Sequence, residues 1–477
     1  MSARPAVVAI DLGAESCRVS LLQSPDGRPE ARMVHRFANG PYADGPNLRW
    51  DLHRICRELE DGLRQCAKLA PEGIASVGVT GWAVDYVRLN AQGQPLAQPY
   101  CYRDARTQDA MHAAHERLSA ERLYSITGIQ IQPINTVYQL YADARSGVRA
   151  DTPWVTLPEY ILYWLGAPRV AEYTNASHTG LLDAETRRWS DEVMEALGLS
   201  AAAAPELVAP GSVLGPLRHD LRALPAFEQT QLIAPACHDT ASAIGGIAVQ
   251  DDEWAYISSG TWSLVGTLLP VPHKTADACA QGFTNLGAAT GEILFHRGIP
   301  GMWLLRQCMQ VWEKSGPCSI ASLIDDARKL PKPKVVLDLD DGSFLLPGNM
   351  PERMQEQLRA RGLAALPTGC EAAPHYANLI FHSLAARYAS LLQSVRAMTG
   401  KSVARICVAG GGSRNEYLNR LTANATGLPV ARCSAESSTL GNFAVQWARL
   451  ENESAPIDAS LLGEYARRLQ NAISMEA

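Results

Sequence analysis

The chain carries one strand–turn–strand pattern twice, at its start and again just past its middle. Ile10 to Leu22 (IDLGAESCRVSLL) aligns without a gap on Ile257 to Leu269 (ISSGTWSLVGTLL). Ile, Gly, Ser, Leu and Leu coincide at the first, fourth, seventh, twelfth and thirteenth places. A repeat that opens each half predicts two related domains facing each other. At 477 residues the chain has room for two large domains, each with its own core. The expected division is 1–246 and 247–450, with a helical tail over 451–477.

Composition narrows the class. The net charge of -6 argues against non-specific nucleic-acid binding. The eleven Cys are scattered, with no CxxC pair, which indicates neither a zinc site nor a disulfide framework. No apolar run is long enough to span a bilayer. Met1-Ser2-Ala3-Arg4-Pro5 leads straight into a strand and does not read as a signal peptide. The expectation is a cytoplasmic protein that binds neither membrane nor nucleic acid, as a monomer or homodimer.

Along the chain, Ala6 to Gly13, Cys17 to Gln23 and Ala31 to Phe37 read as an antiparallel meander with a tight first turn. Leu52 to Leu69 has apolar residues at helical spacing. Ile74 to Gly81 and Asp85 to Asn90 read as strands around Trp82-Ala83-Val84. Trp254 to Leu269 opens the second meander. Ala373 to Met398 reads as a long helix, and Val403 to Ala409 as a strand before Gly410-Gly411-Gly412. Ser437 to Asn442 reads as the cap of a helix over Phe443 to Arg449.

The chemistry centres on Pro235-Ala236-Cys237-His238-Asp239-Thr240-Ala241-Ser242. Gln231 to Ala234 leads in as a strand, and Ala241 to Ala248 follows as a helix. Such a junction places short polar side chains where ligands of open α/β sheets bind. The bland alternative is an Asp or Thr that only caps the helix. Gly13-Ala14-Glu15-Ser16 and Gly260-Thr261-Trp262-Ser263 are turns whose backbone N–H groups and hydroxyls can face an anion, or ordinary hairpin turns. Asp11 ends an apolar strand, where a carboxylate is costly unless paired or solvated. Water-mediated Mg²⁺ binding would satisfy it. The three glycines 410–412 offer bare backbone on which an adenine or ribose could lie, or a flexible connection. They match neither the P-loop nor GxGxxG. Asp239 is the candidate base for phosphoryl transfer, which needs a carboxylate within reach of the attacking hydroxyl.

Taken together these stretches resemble the FGGY carbohydrate kinase family of the actin-like ATPase superfamily. The resemblance is carried by Ala9-Ile10-Asp11-Leu12-Gly13-Ala14, Trp50-Asp51, Tyr102 to Thr107, Thr127-Gly128-Ile129-Gln130, Asn135 to Leu140 and Tyr173-Thr174-Asn175-Ala176. It continues through His238 to Ala243, Ser258 to Leu264, Thr284-Asn285, Trp303-Leu304-Leu305, Gly410 to Gly412 and Ser438 to Asn442. It implies an α/β fold of two actin-like (ribonuclease H-like) domains, each a mixed sheet with flanking helices, facing a central cleft. Residues 1–246 would bind sugar and 247–450 the nucleotide. It further implies ATP and Mg²⁺ as cofactors and Asp239 as proton acceptor. Trp82, Ala83, Asp85, Arg103, His238 and Thr240 would join Asp239 in holding the sugar. Ala14, Glu15, Ser16, Cys17, Arg18, Thr261, Gly298, Arg306 and Gly411 would hold the nucleotide, and Asp11 the metal.

The chain departs from the family pattern at four of these positions. Cys17 stands where these kinases usually have Gly, and Ala83 replaces Gly in Trp-Gly-Val-Asp. Gly298 and Arg306 stand where related kinases commonly have Asn and Gln. The Ala83 methyl bears on the identity of the sugar rather than on the reaction. The implied reaction is ATP-dependent phosphorylation of a ketose at its 1-hydroxyl, with L-rhamnulose foremost. L-fuculose, D-xylulose and L-ribulose are alternatives within the class. A non-metabolic actin-like ATPase is the alternative outside it.

Overall fold

The computed structural model describes residues 4–249, 251–314, 316–368, 370–453, 455–470 and 472. It separates into two compact units. The first is Met1–Gln250 with Leu268–Phe295 and Ser437–Ala477; the second is Asp251–Thr267 with His296–Glu436. Packing groups residues 268–295 and the segment from Ser437 with the N-terminal part of the chain. One reason is visible at Asn285, whose backbone N–H and Nδ2 both donate to the Gly128 carbonyl, at 2.9 and 3.2 Å. Gly128 has φ +65°, and an added Cβ would lie 2.9 Å from Asn285 Nδ2.

The first unit is built on strands β1 (Ala6–Leu12), β2 (Ser16–Gln23), β3 (Glu30–Ala38), β4 (Ile74–Gly81), β5 (Ser212–Pro216) and β6 (Gln231–Ala234). Their order is β5-β6-β4-β1-β2-β3. β1, β4 and β6 are parallel, while β1-β2-β3 is the expected antiparallel meander. β1 is central and covered on both faces, so it reads as a continuous apolar run rather than an alternating one. Helices α1 (Leu52–Leu69), α2 (Thr136–Arg145), α3 (Leu157–Trp164), α4 (Tyr173–Ala176) and α5 (Asp239–Gly245) belong to the same unit. α1 starts where the Asp51 carboxylate accepts from the Arg54 N–H at 2.9 Å. It buries Leu52, Ile55, Leu59, Leu63 and Cys66, the face its helical spacing predicts.

The second unit centres on β7 (Trp254–Ser259), with β8 (Trp262–Leu269) as far as Thr267, β9 (Ile293–Pro300) from His296, β10 (Arg405–Ala409) and β11 (Val430–Arg432), in the order β9-β8-β7-β10-β11. β7 is antiparallel to β8 and parallel to β10, and β10 is parallel to β11. The same order, β3-β2-β1-β4-β6, runs through the first sheet, so the sequence repeat is a repeat of strand wiring. The gapless alignment is nevertheless one residue out on the return strand. Leu12 pairs with Cys17, but Ser259 pairs with Ser263, because the second turn is one residue shorter. Helices α6 (Trp303–Trp312), α7 (Ala373–Thr399) and α8 (Glu416–Thr426) belong to this unit. α7 ends at Gly400 in the left-handed region, φ +68°.

The chain then returns to the first unit as α9 (Ser437–Glu451). Residues 437–442 are the opening turns of this helix rather than a cap before it. α9 lies close on β1 and β4 because Gly78 has no side chain: an added Cβ would sit 2.8 Å from Gln446 Nε2. Gln446 donates to the Val8 carbonyl at 3.0 Å and accepts from Ser76 at 2.6 Å, and Asn442 donates to the Gly78 carbonyl at 3.2 Å. These buried amides are thereby satisfied. α9 also crosses α5 at Gly441, where an added Cβ would lie 2.6 Å from the Ser242 carbonyl carbon. Among the described residues no helix is long and apolar enough to cross a membrane.

This crossing has no room for a methyl, and its neighbour is backbone, which cannot swing aside. Gly441→Ala is expected to destabilise the protein by about 1–3 kcal/mol or more, the usual range for overpacking. Urea unfolding checks this, with Gly40→Ala as a comparison for a site that has open space, no left-handed backbone and the same residue change.

Candidate active site

Three parallel strands of the first unit end side by side, and candidate residues lie at each end. Asp11 is the penultimate residue of β1. Trp82 to Asp85 follow β4, and the Trp82 N–H donates to the Leu12 carbonyl at 3.1 Å. Cys237 to Thr240 follow β6; the Cys237 carbonyl accepts from the Gly81 N–H at 2.9 Å, and His238 bridges to Gly81 in parallel. The carboxyl ends of parallel strands are where open α/β sheets bind ligands, because the connections diverge there.

Asp239 is the first residue of α5, with its backbone set by the turn from His238. Burial, and then the charge of Asp11, push its carboxyl up to about 7. The side chain still exposes 35% of its surface, so a reacting group could reach it, whereas His238 exposes 4%. His238 Nε2 lies 3.6 Å from Asp239 Oδ1, and the Thr240 hydroxyl donates to the same oxygen at 3.2 Å. Asp11 is buried. Its Oδ2 accepts from the Ser438 hydroxyl at 2.6 Å and lies 3.6 Å from Arg18 Nε. The Asp11 and Asp239 carboxyl groups, with Arg18 beside them, form an acidic set that a hydrated divalent cation would suit.

The Trp82-to-Asp85 loop is wound tightly. Asp85 is completely buried, and its carboxylate accepts from Trp50 Nε1 at 2.6 Å, Trp82 Nε1 at 2.9 Å and Gln139 Nε2 at 3.2 Å. Burial raises its pKa to about 6 against the pull of these donors. Val84 has φ +72°, a strained conformation for a β-branched residue, and its carbonyl accepts from Thr136 Oγ1 at 2.8 Å. Ala83 is 6% exposed and packs with the core. Arg103 stacks over Tyr102, 4.9 Å from the ring centre.

The residues expected at the nucleotide fall into two groups. Ala14 to Arg18 belong to the first unit. There the Gly13 carbonyl accepts from Asn39 Nδ2 at 2.9 Å, and Ser16 Oγ accepts from Arg36 Nη2 at 3.3 Å. The Cys17 side chain faces the core with no exposure, its thiol raised by burial and then by Asp11, so the Gly-to-Cys departure is absorbed inside. Thr261, Gly298, Arg306 and Gly411 belong to the second unit. The Thr261 carbonyl accepts from the N–H groups of Gly301 at 3.1 Å and Trp303 at 3.2 Å, which ties the β7–β8 turn to the start of α6. Arg306, on α6, pairs with Glu313 at 3.3 Å. The glycine triplet is not a flat platform: Gly411–Arg414 is a 3₁₀ turn. Gly412 presses on Ser259, where a Cβ would lie 2.7 Å from the Ser259 Cβ, while Gly411 opens to free space.

Three contributors were not singled out by sequence reasoning. Ser438 reaches Asp11 from 427 residues away. Trp50 and Gln139 complete the Asp85 network. All three lie inside motif stretches already noted, but nothing in a linear pattern tells which side chain turns inward.

The raised Asp239 pKa has a thermodynamic consequence. An unfolded Asp titrates near 3.8 and the folded one near 7, so stability falls as pH rises through that window. Ligand-free Asp239→Asn, which cannot ionise, should melt above the wild type at pH 8, with the gap closing toward pH 4. Calorimetric melting across that range checks it; a constant gap would mean that Asp239 is not raised.

Comparison with known proteins gives the family. Residues 6–246 match the N-terminal domain, and residues 255–449 the C-terminal domain, of the FGGY family of carbohydrate kinases. The chain is 36% identical over 441 residues to a rhamnulokinase of Bacteroides thetaiotaomicron, covering 92% of this chain and 89% of that protein. It is 33% identical over 438 residues to a rhamnulokinase of Bacillus subtilis, covering 92% and 89%. In fold it is similar to a gluconate kinase from Lactobacillus acidophilus, with a TM-score of 0.75 at 17% identity over 98% of this chain and 92% of that one. A glycerol kinase from Plasmodium falciparum gives a TM-score of 0.74 at 14% identity over 97% and 92%. With both halves matched in order and the acidic strand ends in place, this chain belongs to the FGGY family of carbohydrate kinases.

Proposed function

We propose that this kinase transfers the γ-phosphoryl group of ATP to the 1-hydroxyl of L-rhamnulose, giving L-rhamnulose 1-phosphate and ADP. The observation that carries the reading is Asp239, a partly open carboxylate at a strand end with a pKa near neutrality. A base is most effective when its pKa lies close to the working pH. In the proposed step the Asp239 carboxylate accepts the hydroxyl proton as the sugar oxygen bonds to the γ-phosphorus. The bond from that phosphorus to the β–γ bridging oxygen breaks, and ADP departs with the electron pair. His238, Thr240, Trp82, Ala83 and Arg103 would orient the sugar. Asp85 would act through the indoles it holds, since its carboxylate accepts from both. Thr261, Gly298, Arg306, Gly411 and the backbone of Ala14 to Arg18 would hold the nucleotide. Asp11 would hold a hydrated Mg²⁺, which supplies positive charge to the transferring phosphoryl group. The rhamnulokinase relatives support the choice of sugar.

A panel of L-rhamnulose, L-fuculose, D-xylulose and L-ribulose with coupled ADP detection tests the reading. L-rhamnulose should give the highest kcat/KM, rising with pH to a plateau above about 7. Hydrolysis indifferent to sugar would instead indicate an ATPase. Asp239→Asn should lose about 10²- to 10⁴-fold in turnover while still binding ATP. Ala83→Gly should alter the kcat/KM ratio between L-rhamnulose and the other ketoses, by up to about 10- to 200-fold for one methyl contact, and leave the KM for ATP in place.

Asp11→Asn removes one formal charge from the acidic pair. It should raise the Mg²⁺ concentration needed for half-maximal activity, read from a Mg²⁺ titration at saturating ATP and sugar. An unchanged requirement would confine Asp11 to its contacts with Ser438 and Arg18.

A further inference from the structure

Behind the His238–Asp239 loop lies a buried polar cluster that the proposed reaction does not use. Glu159 on α3, Glu172 before α4 and Cys237 each place an atom within 4.8 Å of the others. A metal is not needed to explain them, because each carboxylate already takes three donors. Glu159 accepts from Thr156 Oγ1 at 2.7 Å, Asn175 Nδ2 at 2.7 Å and the Glu172 N–H at 3.1 Å. Glu172 accepts from the Thr174 N–H at 2.9 Å, Thr174 Oγ1 at 2.5 Å and the Cys237 N–H at 2.7 Å. The Thr174 hydroxyl oxygen in turn accepts from the His238 N–H at 3.2 Å.

Two successive backbone N–H groups, the last before Asp239, are therefore held by one carboxylate, directly and through one hydroxyl. Both Glu159 and Glu172 are fully buried, with proton affinities raised by burial and drawn down by these donors. Burying two carboxyl groups is costly where a neutral amide could serve. We infer that Glu172 is a positioning residue for phosphoryl transfer: with Thr174 it sets the backbone of Cys237 and His238, and so the direction in which Asp239 faces the attacking hydroxyl. Glu159 and Asn175 hold Glu172 in place in their turn. The inference rests on Asp239 being the base, as proposed above. Displacing such a group by a fraction of an ångström slows a reaction without disturbing nucleotide affinity.

Glu172→Gln tests this, because one arm of the amide is a donor and must face either the Thr174 N–H or the Cys237 N–H, losing one bond. Thr174→Val removes the link to His238 and serves if Glu172→Gln does not fold. Each should lower kcat on L-rhamnulose by about 10- to 100-fold with the KM for ATP unchanged. Thr174→Ser, which keeps the hydroxyl, should restore kcat. The double variant Glu172→Gln/Thr174→Val should be no slower than the slower single one, since both act on the same segment. Deuterium uptake by the peptide over 235–242 should rise in both single variants. That reading stands even if the wild type phosphorylates none of the ketoses, an outcome that would overturn the proposed function alone. Folded Glu172→Gln and Thr174→Val proteins with wild-type kcat, or with unchanged uptake at 235–242, would overturn the positioning role.

Discussion

The close crossing of α5 and α9 is the constraint on which the first unit's site depends. α5 begins with Asp239, and α9 carries Ser438, whose hydroxyl donates to Asp11. Between them Gly441 meets the Ser242 carbonyl, and the Ser242 hydroxyl donates to the Ser438 carbonyl at 2.7 Å. One helix–helix contact thus sets the positions of both acidic residues. Glycine is required there because the two backbones touch. Small shifts at the crossing would change the distance between two carboxylates, and with it the proton affinity of Asp239.

The site is also held from behind by buried polar groups rather than by packing alone. Asp85 gathers two indole N–H groups and one amide, and Glu172 takes the Cys237 N–H while Thr174 takes that of His238. Such networks are costly to bury and directional once buried. Apolar contacts would fix the loops less sharply, since dispersion has no preferred angle. The strained Val84 backbone lies among these bonds, and its carbonyl is taken by Thr136 and Gln139. Strain of this kind persists only where the surroundings over-determine the conformation.

The repeat has a physical explanation in the two sheets. A central strand paired antiparallel to its hairpin partner and parallel to the next strand leaves a polar turn at one end, and both units do this. The turns differ in length by one residue. The longer one exposes Glu15 and is followed by Cys17, which turns into the core. The same wiring therefore presents different chemistry in each unit.

Much of this was legible in the linear chain. Periodicity and turn residues located α1, β4, β6 and both hairpins to within a residue or two, because those elements are determined by local backbone preference and by which face is buried. The motif stretches placed Asp11, Trp82 to Asp85 and His238 to Thr240 at strand ends, where the structure finds them. Tertiary structure alone decided the return of α9 to the first unit, the pairing of Ser438 with Asp11, the burial of Asp85 under two tryptophans and the link from Glu172 to the Asp239 loop. Each joins residues far apart in the chain through side chains whose direction is set by packing. Sequence spacing encodes which face of an element is apolar. It does not encode which distant backbone group a buried carboxylate will meet.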